Sequence, residues 1–359
     1  MARAATTPQE AAPEADAIDG APLPRERHTL IGHREGERTL LDAYRSGRIH
    51  HGWLIGGAKG IGKATLAFRF ARFVLAHPDP SAPAVQQATS LAVDPDSPVA
   101  RRIAAGSHGD LLHLRRPWDE KTKRHKTVLT VAEIRRTVGF FGSTAAEGGW
   151  RVAIVDAADD LNASAANALL KILEEPPARS LFLVLTHQPG RLLPTIRSRC
   201  RRLLLPSLTE DDLIGGLTGL GYGRNSDAST LKTAAGIADG SLRRAIQLIE
   251  SDGVALYRKV ETLARRLPAL EVKDLHRLAD EVTGRGADEA FETATEFFLG
   301  HAATRAREAG LAGQGRRAAA WAEAETAARR DLAAVDALNL DKRAALISLV
   351  RTLVEAARN

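Results

Sequence analysis

The stretch Gly56–Thr65, GGAKGIGKAT, constrains this chain more than any other. It stands between a short apolar run, His51 to Ile55, and a segment from Ala64 to Ala76 in which Leu66, Phe70, Phe73 and Val74 recur at helical spacing. Strand, glycine-rich turn and helix in that order are the context of a phosphate-binding loop, G-x-x-x-x-G-K-[ST]. Gly57, Gly62 and Lys63 fit the pattern, and Gly60 lies inside it. In such a loop, backbone N–H groups and a helix N-terminus surround phosphate, glycines let the backbone approach, and lysine adds a point charge.

The loop is incomplete. Ala64 stands where a hydroxyl normally coordinates Mg²⁺. Thr65 cannot simply replace it, because one helical step turns a side chain by roughly 100°; it remains a candidate nucleotide contact. The apolar strand Arg151 to Asp156, RVAIVD, ends in a carboxylate placed to lie near a metal. An ATPase of this type follows it with Glu to activate water, and here that residue is Ala157. Asp159 and Asp160 would need an unusual loop to reach back. With two hydrolytic parts missing, the expectation is a chain that does not hydrolyse ATP at a useful rate. Binding of ATP or ADP stays open, and no cofactor is required.

Around the loop, strands and helices alternate. Asp110 to Leu114 and Ser180 to Thr186 read as further apolar strands; His33–Ser46, Thr130–Phe141 and Asn162–Glu175 read as helices, the last stopped by Pro176-Pro177. Fully apolar strands between helices predict a parallel sheet covered on both faces. Residues 1–24 are polar, proline-bearing and aperiodic, so they read as a disordered tail. His77 to Pro98 reads as a loop or a poorly packed insertion. From Pro206 onward the patterns are helical. The resulting division is a tail at 1–24, an α/β phosphate-loop domain at 25–206, a helical lid at 207–265 and an all-α domain at 266–359.

Composition excludes several classes. Cys200 is the single cysteine, which rules out an intrachain disulfide and a cysteine-cluster zinc site. No apolar run is long enough to span a membrane, and the N-terminus lacks an apolar signal core, so a cytoplasmic protein is expected. The net charge is 50 − 44 = +6, which permits nucleic-acid contact without requiring it. Arg115 to Lys126, RRPWDEKTKRHK, is basic with one Trp and reads first as a solvated hairpin tip, second as a nucleic-acid contact. His50 and His51 show no ligand geometry, and Cys200 reads as a small buried residue.

Three later segments go beyond a generic phosphate-loop protein. They are Asn167–Pro177 (NALLKILEEPP), Thr195–Cys200 (TIRSRC) and Gly240–Ala245 (GSLRRA). In this order, from about residue 28 to 250, they resemble the helix after the acidic strand, the serine-arginine-cysteine motif and the second sensor motif of clamp-loader subunits in the AAA+ family. The resemblance implies an AAA+ fold with a helical lid and an oligomerising helical collar. Within that family, Ala64 and Ala157 point to a non-hydrolysing stator. Such a subunit would sit in a five-membered ring with three tau/gamma ATPase subunits and a delta subunit, inside a DNA-directed DNA polymerase holoenzyme. The sliding clamp and the backbone of primer–template DNA are the further implied partners; no membrane is. Many family members carry a four-cysteine zinc module, but residues 77–108 hold no cysteine, so no zinc and no other metal is expected.

The resemblance also assigns site residues. Arg199, in TIRSRC, would act as a trans arginine finger on a neighbouring subunit; its alternative is a structural Arg paired with a carboxylate. Gly57, Gly60, Gly62, Lys63, Thr65, Asp156, Thr186 and Arg243 form the degenerate nucleotide set. Thr186 matches the first sensor but can equally cap its strand, and Arg243 can equally be a helix-surface residue. Two other readings compete: an active AAA+ ATPase, such as a tau/gamma-type motor or a related remodeller, and a phosphate-loop small-molecule kinase. The missing hydroxyl and carboxylate oppose the first. The serine-arginine-cysteine motif, the lid and the long helical tail oppose the second.

Overall fold

The computed structural model describes residues 14–15, 17–18, 20–142, 149–224, 226–338 and 340–358. They divide into two compact units, one ending at Ile246 and one beginning at Gln247. Of the expected tail, residues 1–13, 16 and 19 lie outside the described residues.

The first unit opens with α1 (Arg34–Arg45), β1 (Gly52–Gly56) and α2 (Lys63–Ala76), then the short α3 (Pro83–Gln86) and α4 (Pro98–Ala104). Next come β2 (Leu111–Leu114), a hairpin of β3 (Trp118–Asp119) and β4 (Arg124–His125), α5 (Val131–Gly142) and β5 (Arg151–Val155). α6 (Ala163–Glu174), β6 (Ser180–Thr186), α7 (Pro194–Ser198) and β7 (Arg201–Leu204) complete the α/β part, followed by α8 (Glu210–Gly219) and α9 (Ala228–Ile237). α10 (Leu242–Glu250) starts in this unit.

Five strands form one sheet in the order β2-β5-β6-β1-β7, and every pairing is parallel. Side chains alternate across it, as the period of two requires. On one face Trp53, Ile55, Val152, Ile154, Leu181 and Leu183 pack with Leu66, Phe70, Phe73 and Val74 of α2. On the other, Leu54, Ala153, Val155, Phe182 and Val184 pack with Ala165, Leu169 and Leu173 of α6 and Ile134 of α5. Both faces are dry, which is why these strands read as continuous apolar runs. Each large side chain buried here contributes about 1.5–3 kcal/mol of transfer free energy.

The ends of the elements follow local chemistry. The Asn162 side chain accepts from Ala165 N–H and starts α6, which stops one residue after Leu173, ahead of Pro176-Pro177. Thr209 and Asp212 close a reciprocal capping box at α8.

The reading of His77–Pro98 as poorly packed needs correction. Val85 and Leu91 are fully buried in the α2-side core. Polar bonds tie the segment down: Leu91 N–H donates to Glu37 Oε1 at 2.9 Å, and the Arg45 guanidinium donates to Ala88 O. Its apolar residues are too few and too irregular to show a period, yet each finds a socket. β7 also escapes a periodicity search, because three of its four residues, Arg201, Arg202 and Leu204, are exposed at the sheet edge.

In the second unit, α11 (Gly253–Ala264), α12 (Val272–Val282), α13 (Asp288–Leu311), α14 (Gly315–Leu338) and α15 (Lys342–Arg358) form a helical array. Phe298, Trp321, Leu346 and Leu353 are among its buried side chains. Among the described residues no helix is long and apolar enough to cross a membrane.

Candidate functional site

The parallel sheet brings the carboxyl ends of β1, β5 and β6 side by side, and the glycine-rich loop, Asp156 and Thr186 with them. Crevices at strand carboxyl ends are where open α/β sheets bind ligands. A cavity of about 210 Å³ opens there, lined by Gly60, Gly62, Lys63, Thr65, Asp156 and Arg243 of the expected set, and also by Arg115, Arg116, Asp160 and His187. Gly57 and Thr186 are outside this lining, and Arg199 is remote from it.

The loop is tightly held. A Cβ on Gly57 would lie 2.6 Å from Ile61 Cδ1 and 2.7 Å from Leu205 O, so no other residue fits. Lys63, 4% exposed, donates from Nζ to Gly57 O at 2.8 Å and to Ala58 O at 2.6 Å. The amine is thus turned onto the loop's own carbonyls. His33 Nε2 donates to Ile61 O at 2.8 Å from the far side.

The start of α10 docks directly on the loop. Arg243 N–H donates to Gly60 O at 3.2 Å, and Gly60 has φ +79°. The Arg243 guanidinium donates to Ala17 O at 3.4 Å. Ala15, Ile18, Ala21, Pro22, Pro24 and Arg27 also line the cavity. α2 fixes this segment from beneath: buried Arg72 donates to Arg25 O at 2.7 Å and Arg27 O at 3.2 Å, and the Arg69 guanidinium donates to His28 O. Burial, with Arg69 nearby, pushes the Arg72 guanidinium down to about 10. Sequence reasoning missed these two arginines because they sit within an otherwise apolar helix, where a backbone acceptor is the only signal and is invisible in one dimension.

The acidic groups have distinct tasks. Asp156 lies in the lining, with His113 Nε2 3.7 Å from its Oδ2. Asp159 turns away from the loop. Its carboxylate accepts from Thr186 Oγ1 at 2.7 Å, His187 N–H at 2.5 Å and Gln188 N–H at 3.0 Å. Burial alone pushes the Asp159 carboxyl up, but these three donors outweigh it and hold it below the usual carboxylate range. Thr186 therefore anchors the turn after β6, and His187, the next residue, faces the cavity. Burial, then the Lys63 ammonium, push the His187 imidazole down. Asp160 is pushed up by burial, against the opposing pull of Arg116 at 3.3 Å.

Ala64 and Ala157 bring no ligand atom to the positions where a metal bridging two phosphates would be held. Asp159 is engaged by amides and Asp160 by Arg116, so neither substitutes. Among the described residues no group of three or more His, Cys, Asp or Glu side chains could hold a metal ion. Gly60, Gly62 and Lys63 line the cavity, with the Lys63 amine held on the Gly57 and Ala58 carbonyls, and the residues do not fit a hydrolytic Mg²⁺ centre.

Arg199 lies at the opposite edge of the sheet. It follows α7 and precedes β7, whose Arg201 pairs with Trp53 near the start of β1. Arg199 O is 3.1 Å from a Cβ built on Gly52, five residues before Gly57. At ~3.3 Å per strand residue that is about 16 Å, beyond the reach of one arginine side chain. Its guanidinium is partly exposed, pairs with Glu174 at 2.5 Å and donates to Thr195 O at 3.2 Å. Cys200 beside it is buried, which pushes its thiol up to about 12.

The family model described as DNA polymerase III, delta subunit, matches residues 32–209. The chain is 38% identical over 156 residues to the DNA polymerase III subunit delta' of Pseudomonas aeruginosa, covering 44% of this chain and 43% of that protein. It is 31% identical over 228 residues to the subunit delta' of Escherichia coli K12, covering 64% and 62%. The chain spans about half the length of the curated relatives it matches. Among solved structures, a DNA polymerase III gamma subunit-related protein of Thermotoga maritima aligns with a TM-score of 0.40 at 18% identity, over 89% of this chain and 99% of that one.

Proposed function

We propose that the chain is a delta-prime-type AAA+ clamp-loader subunit of DNA polymerase III, a reading supported by the family match and the delta' relatives, and that it does not hydrolyse ATP itself and lends Arg199 to the site of a neighbouring ATPase subunit. The observation that carries this reading is the separation of the two features. The chain's own loop lies at the carboxyl edge of the sheet, without the hydroxyl and carboxylate of hydrolysis. Arg199 lies at the amino edge, partly exposed and out of reach of that loop.

A guanidinium delivered from a neighbour neutralises charge building on a transferring phosphoryl group and is worth on the order of 10³–10⁵ in rate. A chain without its own hydrolytic groups gains nothing from such a residue in cis. In this reading the tau/gamma and delta subunits are its ring partners. ATP bound by the motors orders the ring around an open sliding clamp on primer–template DNA, and hydrolysis releases the clamp closed. The present chain supplies a rigid end, a surface for the clamp and one finger. Its contact with DNA is to backbone phosphates.

The test is a reconstituted complex carrying Arg199→Ala. Assembly stays intact by gel filtration, and hydrolysis at the adjacent site falls by on the order of 10³-fold in single turnover. Unchanged turnover in a complex that has assembled overturns the finger. The competing reading, an active ATPase, instead requires turnover by the isolated chain that is lost on Lys63→Ala.

A further inference from the structure

The segment Arg115–Lys126 carries six cations and two acids, 6 − 2 = +4 of the chain's net +6. Two thirds of the excess charge therefore sits in twelve residues, and the fold sorts those cations into two groups. The inner ones are engaged. Arg115 pairs with Glu14, and Arg116 pairs with Asp160 at 3.3 Å. Lys123 pairs with Glu120 at 2.8 Å across the turn. Lys121, Arg124 and Lys126 are exposed and make no ion pair with the described residues.

The hairpin is built to present those three. β3 and β4 pair Trp118 with His125 and Asp119 with Arg124. The Trp118 and His125 rings meet edge to face at 5.0 Å, and Lys126 N–H donates to Pro117 O at 2.9 Å, which closes the base. Asp119 is spent on the turn, accepting from Lys121 N–H at 2.9 Å and Thr122 N–H at 3.1 Å. Strand alternation then puts Arg124 on one face, opposite Asp119, with Lys126 two residues on and about 7 Å away, and His125 on the other face against Trp118. The hairpin follows the carboxyl end of β2, on the same sheet edge as the cavity, and Arg115 and Arg116 belong to the cavity wall. A hairpin with three exposed cations outside any ion pair, one acid (Asp119) among them and a polar, exposed tip has no core to cover. It suits a polyanion whose charges recur along a chain.

We propose that the β3–β4 hairpin is a nucleic-acid contact that grips the phosphodiester backbone through Lys121, Arg124 and Lys126 without reading base sequence. It gives the DNA contact of the proposed function a place on the chain, and rests on that function only for the choice of DNA over another polyanion. Each phosphate neutralised lowers the slope of log affinity against log salt by about 0.9 on duplex and about 0.7 on a single strand.

The experiment uses the isolated full chain and fluorescence anisotropy. The probes are a labelled duplex with a single-stranded overhang of mixed sequence, and its single strand alone. The variant Lys121→Gln, Arg124→Gln, Lys126→Gln weakens binding at low salt by roughly tenfold or more, and reduces the magnitude of the salt slope by about 2 to 3. A slope change near the duplex value on the overhang probe assigns the grip to duplex; one near the single-strand value on both probes assigns it to the strand. Arg34→Gln, Arg48→Gln, Arg316→Gln removes equal charge from exposed sites elsewhere and leaves the slope as in the unaltered chain. Lys121→Arg, Arg124→Lys, Lys126→Arg keeps the charge and the slope. An unaltered chain that does not bind, a triple variant with an unchanged slope, or an equal loss in the control variant overturns the proposal. No neighbouring subunit is present, so the readout is independent of Arg199: failure here leaves the finger standing, and failure of the finger leaves the hairpin standing.

Discussion

The Arg199 guanidinium lies 2.5 Å from the Glu174 carboxylate, so the last residue of α6 holds the residue that follows α7. Both belong to the motif-bearing segments, and both are partly exposed. The pair folds Arg199 back over its own chain, where it does no chemistry. A trans role requires the guanidinium to exchange this carboxylate for a phosphate. An exposed pair contributes only about 0.2–1 kcal/mol, so the exchange is cheap.

Glu174→Gln therefore leaves the melting temperature of the chain nearly unchanged. In the assembled complex it gives an ATPase rate equal to or above that of the unaltered complex. A fall matching that of Arg199→Ala would mean that Glu174 orients the finger instead of restraining it.

At the loop, Lys63 is buried and bonded to two carbonyls. Lys63→Ala leaves those carbonyls without this donor and costs about 2 kcal/mol in urea unfolding. Phosphate release by the isolated chain stays at background before and after the change. Ala64→Thr, which restores the hydroxyl, also stays at background, because Ala157 brings no carboxylate to activate water. Turnover above background in Ala64→Thr alone would contradict this.

Gly60→Ala tests the docking of α10 on the loop. The new Cβ would stand 2.3 Å from Ser241 Oγ and 2.6 Å from Arg243 Cβ, at φ +79°. A loss of at least about 1 kcal/mol is expected. Amide exchange at Arg243 should accelerate as its bond to Gly60 O is lost, and Ser241→Gly should recover part of the loss. An unchanged exchange rate at Arg243 would show that the bond is not a latch.

Asp159 sets an acid limit for the turn after β6. Its folded carboxyl sits below the ordinary range, so its contribution is fully present above the unfolded value of about 3.9 and fades as pH falls through the folded value. Asp159→Asn should cost about 1–2 kcal/mol at neutral pH, from bonds to Thr186, His187 and Gln188 that a neutral amide accepts more weakly. The gap between the two melting curves should close below about pH 4. A gap that persists at strongly acid pH would assign the loss to packing.

Much of the first unit was legible in one dimension. The sequence marks β6 with its observed ends, and β1, β5, α2 and α6 within a residue or so, because a sheet dry on both faces leaves unbroken apolar runs and Pro176-Pro177 leaves a stop. β7 is not legible there, since an edge strand exposing Arg201 and Leu204 looks like a polar loop. Val85 and Leu91 escape notice for the opposite reason: two apolar residues in a proline-rich stretch show no period, though both are fully buried.

By itself the sequence determined the chemistry available: a lysine and glycines fit for phosphate, and alanines at 64 and 157 where hydrolysis needs a hydroxyl and a carboxylate. These are facts of residue identity, and folding cannot add an oxygen to an alanine. Tertiary structure alone decided which groups meet. Thr186 and His187 are neighbours in the chain, yet Asp159 captures the Thr186 hydroxyl and leaves His187 facing the cavity. Arg199 precedes β7 and Gly57 follows its neighbour β1, so they lie at opposite ends of the sheet, because the strands are parallel and a strand's length keeps them apart. Identity limits what a side chain can do, while the path of the backbone sets what it can reach.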